Sequence, residues 1–204
     1  MAGFMVKEGF PFVGIALLIA IIFSFFGIWI GALIFGLITL FMIYFFRNPP
    51  RLIPTEPNII VSPADGRVTR VEENEAGKFV SIFLSPLDVH VNRSPIAGKI
   101  KKIDYIHGKK MPATSHQASL VNERNSLLIE GEKISVTCTQ IAGIVARRIV
   151  CWNKAGDNLD RGQLFGLIKF SSRTDLQMPH NVEVLVKIDD KVKGGETIIA
   201  RIND

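Results

Sequence analysis

The chain offers little for metal binding or covalent stapling. It has two cysteines and four histidines in 204 residues. Cys138 and Cys151 lie in apolar, strand-like surroundings without metal spacing, so free core thiols in a reducing compartment are expected. No His/Cys/Asp cluster has ligand spacing, and no metal is expected. His107, His116 and His180 lack a partner pattern. No glycine-rich loop has the spacing that cradles a phosphate, and no Gly-x-Ser-x-Gly elbow is present. The basic residues are not interleaved with aromatics, which argues against a nucleic-acid partner. The stretch 9–46 is almost without charge.

That stretch is the first large feature. As one straight helix it would rise roughly 55 Å, well beyond a hydrocarbon core of ~30 Å. Two helices broken near Gly27-Ile28-Trp29-Ile30-Gly31 fit better, each of about 16–18 residues, the lower limit for spanning. A hairpin dipping into one leaflet is the runner-up. Lys7 before it and Arg47 and Arg51 after it favour both ends in the cytoplasm, at the cell membrane. A cleaved signal peptide fits poorly, because the run is too long and no small-residue cleavage site follows. Arg47-Asn48-Pro49-Pro50-Arg51 stops any helix and begins a linker. The net charge of +5 is spread over residues such as Arg67, Arg70, Lys99, Lys101 and Lys102. It reads either as a solvated surface or as attraction to an anionic membrane surface.

Residues 1–50 are therefore expected to form the anchor and linker, and 51–204 a β-rich domain. Strands are expected at Ile59-Ile60-Val61, 66–71, 79–84, 133–139 and 182–186. Turn signals separate them at Pro63-Ala64-Asp65-Gly66, Glu130-Gly131-Glu132, Ala155-Gly156-Asp157 and Lys193-Gly194-Gly195-Glu196. Only 141–149 suggests a helix. The fold class is a mainly β soluble domain, a sandwich or barrel-like hybrid, with an N-terminal α-helical membrane hairpin. Residues 61–68 and 190–200 resemble the paired strand–turn–strand pieces of the swinging-arm carrier hybrids, without a lysine at a hairpin tip.

The chemistry centres on Ser171-Ser172, at the end of an alternating run over 165–170. A serine held rigidly at a strand end suits acyl transfer on the chain's own backbone. It still needs a base. Asp65 lies in a tight turn that projects a carboxylate, and His90 lies between Pro86 and Pro95. Together Asp65, His90 and Ser172 supply an orienter, a base and a nucleophile. Arg124 and Arg147 are candidates for holding a phosphate or carboxylate, with a solvated surface role as the alternative.

Several motifs in order carry a family resemblance: Pro63-Ala64-Asp65-Gly66, Pro86-Leu87-Asp88-Val89-His90-Val91-Asn92-Arg93, Asn122-Glu123-Arg124-Asn125, Gln140-Ile141-Ala142-Gly143 and Phe165 to Asp175. From residue 47 onward the sequence resembles the short bacterial and archaeal phosphatidylserine decarboxylases. The resemblance implies a self-cleaving proenzyme. Ser172 would attack the Ser171 carbonyl and become a covalent pyruvoyl cofactor. Chains 1–171 and 172–204 would stay associated. The pyruvoyl group would form a Schiff base with the serine headgroup of a membrane lipid, carbon dioxide would leave, and phosphatidylethanolamine would result. The His90–Asp65 pair would be the base. Two positions depart from the pattern: Ser171 stands where the family usually has glycine, and Arg93 where longer members have a second histidine. An ether-linked archaeal serine lipid shares the headgroup, so archaetidylserine decarboxylation is the alternative. Homo-oligomerisation stays open, as do a membrane-anchored β adaptor without enzymatic activity and a serine hydrolase that does not cut itself.

Overall fold

The uncharged N-terminal stretch folds into two helices, and the chain after it mainly into short strands joined by turns. The structure is a computed structural model that describes residues 3–108, 121–143, 148–169 and 172–203. It divides into two units, Met1–Pro50 and Arg51–Asp204.

In the first unit a 3-10 turn, Lys7–Gly9, leads into α1, Phe10–Phe25, and α2, Trp29–Phe45, follows. Pro11 sits in the first turn of α1, where its missing N–H has no partner to lose. The reversal uses Gly27 at φ 70°, a conformation glycine takes without strain. The helices pack antiparallel through Phe23 on Phe35, with ring centroids 5.6 Å apart, and Phe12 on Phe46, 5.4 Å apart. The two ends of the hairpin are tied together. Val6 N–H donates to the Phe46 carbonyl at 3.0 Å, and Asn48 N–H to the Phe4 carbonyl at 2.7 Å. The outward side chains, Ile15, Leu18, Ile21, Leu33, Leu37 and Leu40, are all exposed. An apolar surface of this extent is unfavourable in water and suits lipid. With its leading turn, α1 is long and apolar enough to cross a membrane by length and composition. Helix α2 has 17 residues, about 25 Å of rise against a core of ~30 Å.

The second unit is antiparallel β throughout its described residues. Its strands are β1 Ile59–Val61, β2 Gly66–Asn74, β3 Gly77–Leu84, β4 Val91–Arg93, β5 Gly98–Ile106, β6 Arg124–Glu130 and β7 Ser135–Ala142. They continue with β8 Arg148–Cys151, β9 Asn158–Leu159, β10 Leu164–Lys169, β11 Ser172–Met178, β12 Val182–Val184, β13 Lys191–Val192 and β14 Ile198–Ile202. One sheet of eight has the order β13-β2-β3-β11-β7-β6-β5-β9; two sheets of three run β1-β14-β12 and β4-β10-β8. Alternation sets the faces. Val80, Ile82 and Leu84 on β3, Leu127 and Ile129 on β6, and Val136 and Cys138 on β7 point into one core. That core also takes Ile60 from β1, Phe165 from β10 and Ile199 from β14, so it joins all three sheets. Each such side chain, fully buried, stabilises the fold by roughly 2 kcal/mol.

Two local expectations change. The helix suggested over 141–149 is strand at its described ends: Ile141 and Ala142 close β7, while Arg148 and Ile149 open β8. Apolar spacing over so short a run does not separate helix from buried strand. The second change concerns Ser172. It does not end the strand that contains Leu167 but begins the next one, in a different sheet. Alternation across 165–170 cannot reveal a change of sheet. The charged residues Arg173 and Asp175 also disguise β11, because their burial depends on pairing with each other.

The carrier-like pieces do interlock. Lys191 pairs with Arg67 and Val192 with Gly66, while Ser62 N–H donates to the Thr197 carbonyl and Gly195 N–H to the Ser62 carbonyl, both at 2.8 Å. Gly66, at φ 148°, is pressed against the Phe83 carbonyl, which a Cβ would strike. Gly66→Ala is therefore expected to lower the unfolding free energy by about 3 kcal/mol, read by urea denaturation in detergent.

Candidate active site

Three of the residues singled out above come off one end of the eight-stranded sheet. The row that closes β3 and β7 pairs Ser172 with Leu84 on one side and Ala142 on the other. Asp65 immediately precedes Gly66 at the start of β2, the strand next to β3. The segment carrying His90 leaves directly from Leu84. Topology thus gathers positions far apart in sequence at a single sheet end.

Ser172 is fully buried, and its Oγ has no hydrogen-bond partner among the described residues. Strand pairing on both sides fixes its backbone. An unsatisfied buried hydroxyl costs about 1–3 kcal/mol, and in a native structure such a group asks for a chemical explanation.

His90 is 1% exposed. A turn sets it up: Asp88 N–H donates to the Ser85 carbonyl at 2.9 Å, and Ser85 N–H donates to Asp88 Oδ2 at 2.7 Å. The imidazole Nδ1 lies 2.9 Å from the Asp88 carbonyl. A carbonyl only accepts, so Nδ1 carries the proton, and in the neutral ring Nε2 is the basic nitrogen.

Asp65 is held by two donors. Arg51 Nη2 donates to both of its oxygens, at 2.9 and 2.7 Å, and Gly194 N–H donates to Oδ1 at 2.9 Å. Burial pushes the carboxyl above its ordinary range, Arg51 and Gly194 oppose this, and Asp88 adds to the push. No Asp65–imidazole bond is among the hydrogen bonds of the described residues. Asp65 is turned to Arg51, and His90 to the backbone of Asp88, so any influence of Asp65 on the ring acts through its charge.

Beneath Ser172 runs a buried polar chain. Asn125 Nδ2 donates to Gln140 Oε1, Gln140 Nε2 donates to Asn92 Oδ1, and Asn92 Nδ2 donates to Thr174 Oγ1, each at 2.9 Å. It ties β6, β7, β4 and β11 together two residues below the serine. Asn92, Asn125 and Gln140 stand in the quoted motifs, but sequence gives no sign that they touch.

The remaining candidates lie elsewhere. Arg124 shares a row with Ile141 and Arg173, on the face of the sheet opposite Ser172. It lines a cavity of about 170 Å³ with Phe79, Thr139 and Asp175. This placement weighs against a grip on a headgroup at Ser172. Asp175 faces the same way as Arg173, pairs with it at 3.0 Å and accepts from Ser81 Oγ at 2.6 Å. Arg93, the departure from the longer pattern, is buried and donates to the Gly162 carbonyl at 3.0 Å. His107 packs on Tyr105, and exposed His180 meets Glu73. Ser171, Arg147 and His116 lie outside the described residues. Cys138 and Cys151 are free thiols, and burial raises the pKa of each.

The family model described as phosphatidylserine decarboxylase matches residues 38–200. A phosphatidylserine decarboxylase proenzyme of Symbiobacterium thermophilum is 46% identical over 204 residues, covering 96% of this chain and 94% of its own. Proteins of the same name from Nitrosomonas eutropha and Geotalea uraniireducens are 43% and 41% identical, covering 95% and 94% of this chain and 93% of their own. The chain belongs to the phosphatidylserine decarboxylase family.

The polar chain yields a stability test. Asn92→Leu strips partners from both Thr174 and Gln140 and is expected to cost about 2–4 kcal/mol, measured by denaturant unfolding.

Proposed function

We propose that this member of the phosphatidylserine decarboxylase family is a proenzyme that cuts itself between Ser171 and Ser172 and then decarboxylates a serine phospholipid. The observation that carries the reading is the fully buried Ser172 hydroxyl without a hydrogen-bond partner among the described residues, held at a sheet end shared with Asp65 and His90.

The self-cleavage balances as follows. His90 Nε2 takes the proton from Ser172 Oγ, and the oxygen adds to the Ser171 carbonyl carbon. The bond from that carbon to the Ser172 nitrogen breaks as His90 passes its proton to that nitrogen, leaving an ester and a free amine. Loss of the Ser172 α-proton then expels Ser171 as a carboxylate and leaves dehydroalanine at 172. Water hydrolyses its imine form, ammonia leaves, and a pyruvoyl group blocks the new terminus. The strand ladder supplies orientation in advance. The Asp65 carboxylate, held by Arg51, favours the imidazolium that forms as His90 takes the proton.

Position 172 fits a pyruvoyl group, because its side chain is fully buried and has no hydrogen bond to lose among the described residues. Such a group acts as an electron sink when an amino acid loses carbon dioxide. This chain's residues do the rest. His90 Nε2 holds the proton that decarboxylation must return to carbon. Pairing of β11 with β3 and β7, together with the bond from Ser81 to Asp175, keeps chain 172–204 in place after the cut. Phosphatidylethanolamine is the product from a diacyl lipid, and an ether-linked serine lipid presents the same headgroup. The tied ends of the hairpin and the flanking Lys7, Arg47 and Arg51 support a cytoplasmic catalytic unit beside an anionic membrane surface.

The test is a time course of cell-free synthesis into lipid nanodiscs, read on gels. Wild type is expected to convert to two chains, Ser172→Ala to stay whole, and His90→Gln to convert roughly 10²–10⁴ times more slowly. Carbon dioxide release from phosphatidylserine should track the cut fraction. Cleavage of Ser172→Ala would overturn the assignment. An uncut wild-type chain labelled by a fluorophosphonate would favour a hydrolase.

A further inference from the structure

The residue that grips Asp65 makes contacts that reach beyond that carboxylate. Arg51 is the first residue of the second unit, six positions beyond the last residue of α2. Its side chain is 6% exposed. Beyond its two contacts with Asp65, its Nη1 lies 3.8 Å from Glu196 Oε2. The other oxygen of Glu196 accepts Leu52 N–H at 3.1 Å. The buried Nε of Arg51 has no hydrogen-bond partner among the described residues. Burying a guanidinium with one donor unused is costly, and an aliphatic side chain would fill the same space without that cost. The charge itself therefore needs a purpose.

The surroundings of Asp65 supply one. Arg51 faces it from the linker, and Arg93 acts on it from β4. Asp88 repels it from the turn that carries His90. From the 193–196 turn come Gly194 N–H, Glu196 and Lys193, the last lying 3.8 Å from Glu196. We propose that Arg51 is a positioning residue for self-cleavage, which holds Asp65 aimed and ionised, and that Glu196 tunes how much of the Arg51 charge Asp65 receives. The inference rests on the assignment of Asp65 as the charged partner of His90.

The signs follow from the charges. Burial raises the Asp65 pKa most, Asp88 raises it further, and Arg51 lowers it. Removing Arg51 lets Asp65 take up a proton at higher pH, so the acid limb of the self-cleavage rate moves up. Removing the Glu196 charge leaves Arg51 more fully to Asp65, so the limb moves down. Glu196→Gln keeps an oxygen for Leu52 N–H while removing the charge that faces Arg51, Lys193 and Arg93.

The experiment uses the full-length chain in nanodiscs, with cleavage rates taken on gels from about pH 5 to about pH 9, a range covering histidine and a raised carboxyl. Arg51→Gln is expected to shift the acid limb up by about one pH unit or more and to slow the plateau. Arg51→Lys should fall between it and wild type, because the charge remains while the two-oxygen grip is lost. Glu196→Gln should shift the limb down. Opposite shifts from two neighbouring substitutions are not what general loosening of the fold produces. Limbs that stay put, or move the same way in Arg51→Gln and Glu196→Gln, would overturn the proposal while leaving self-cleavage intact. A wild-type chain uncut at every pH would defeat the cleavage reading and this inference with it. If Arg51→Gln shows no thermal unfolding transition, Glu196→Gln decides alone: a downward shift supports the proposal and an unmoved limb overturns it.

Discussion

The ladder of β11 is the constraint on which the rest depends. This strand lies inside the largest sheet, paired along its length with β3 and with β7. Its first residue is the serine whose buried hydroxyl has no hydrogen-bond partner among the described residues. Leaving that hydroxyl unbonded costs about 1–3 kcal/mol, and two-sided strand pairing is what makes the cost sustainable. The same pairing gives the serine an orientation it need not acquire during reaction. The proposed cut before Ser172 would leave every rung of β11 on its C-terminal side.

Charge is placed with similar economy. Two buried ion pairs stand among the described residues of the second unit. Arg51 meets Asp65 beside the serine, and Arg173 meets Asp175 on the opposite face of the same strand. A lone ion in either place would be unstable. The first unit is the converse case, two helices with no charged residue and an exposed apolar surface. That surface is unfavourable in water and suits lipid.

Much of this was legible in the sequence. The uncharged stretch announced the hairpin, Gly27 its reversal, and Pro63-Ala64-Asp65-Gly66 the turn that carries the carboxylate. Strands with regular alternation, such as β3, were visible because one face is core. Strand β11 was not, because Arg173 and Asp175 reach burial by pairing, and hydropathy does not register a pair. Ser172 was singled out from its motif at the end of the run over 165–170, and it begins the next strand instead. Asp65 and His90 were identified as residues, yet their bonding partners were not, since Arg51 and the Asp88 carbonyl reach them through tertiary contacts and turn geometry. Arg124 was singled out for its charge, and only the register of β6 on β7 shows that it faces away from the serine.

The central claim is that the peptide bond before Ser172 is the one broken, and that Ser172 itself is transformed. The most direct measurement is an intact-mass spectrum of the purified full-length chain, taken without reductants or amine traps. The account predicts two chains, one ending at Ser171 and one beginning at a blocked residue 172 that is lighter than serine by the change to a pyruvoyl group. A single chain of unmodified mass, or a second chain with an ordinary serine at its start, would contradict it.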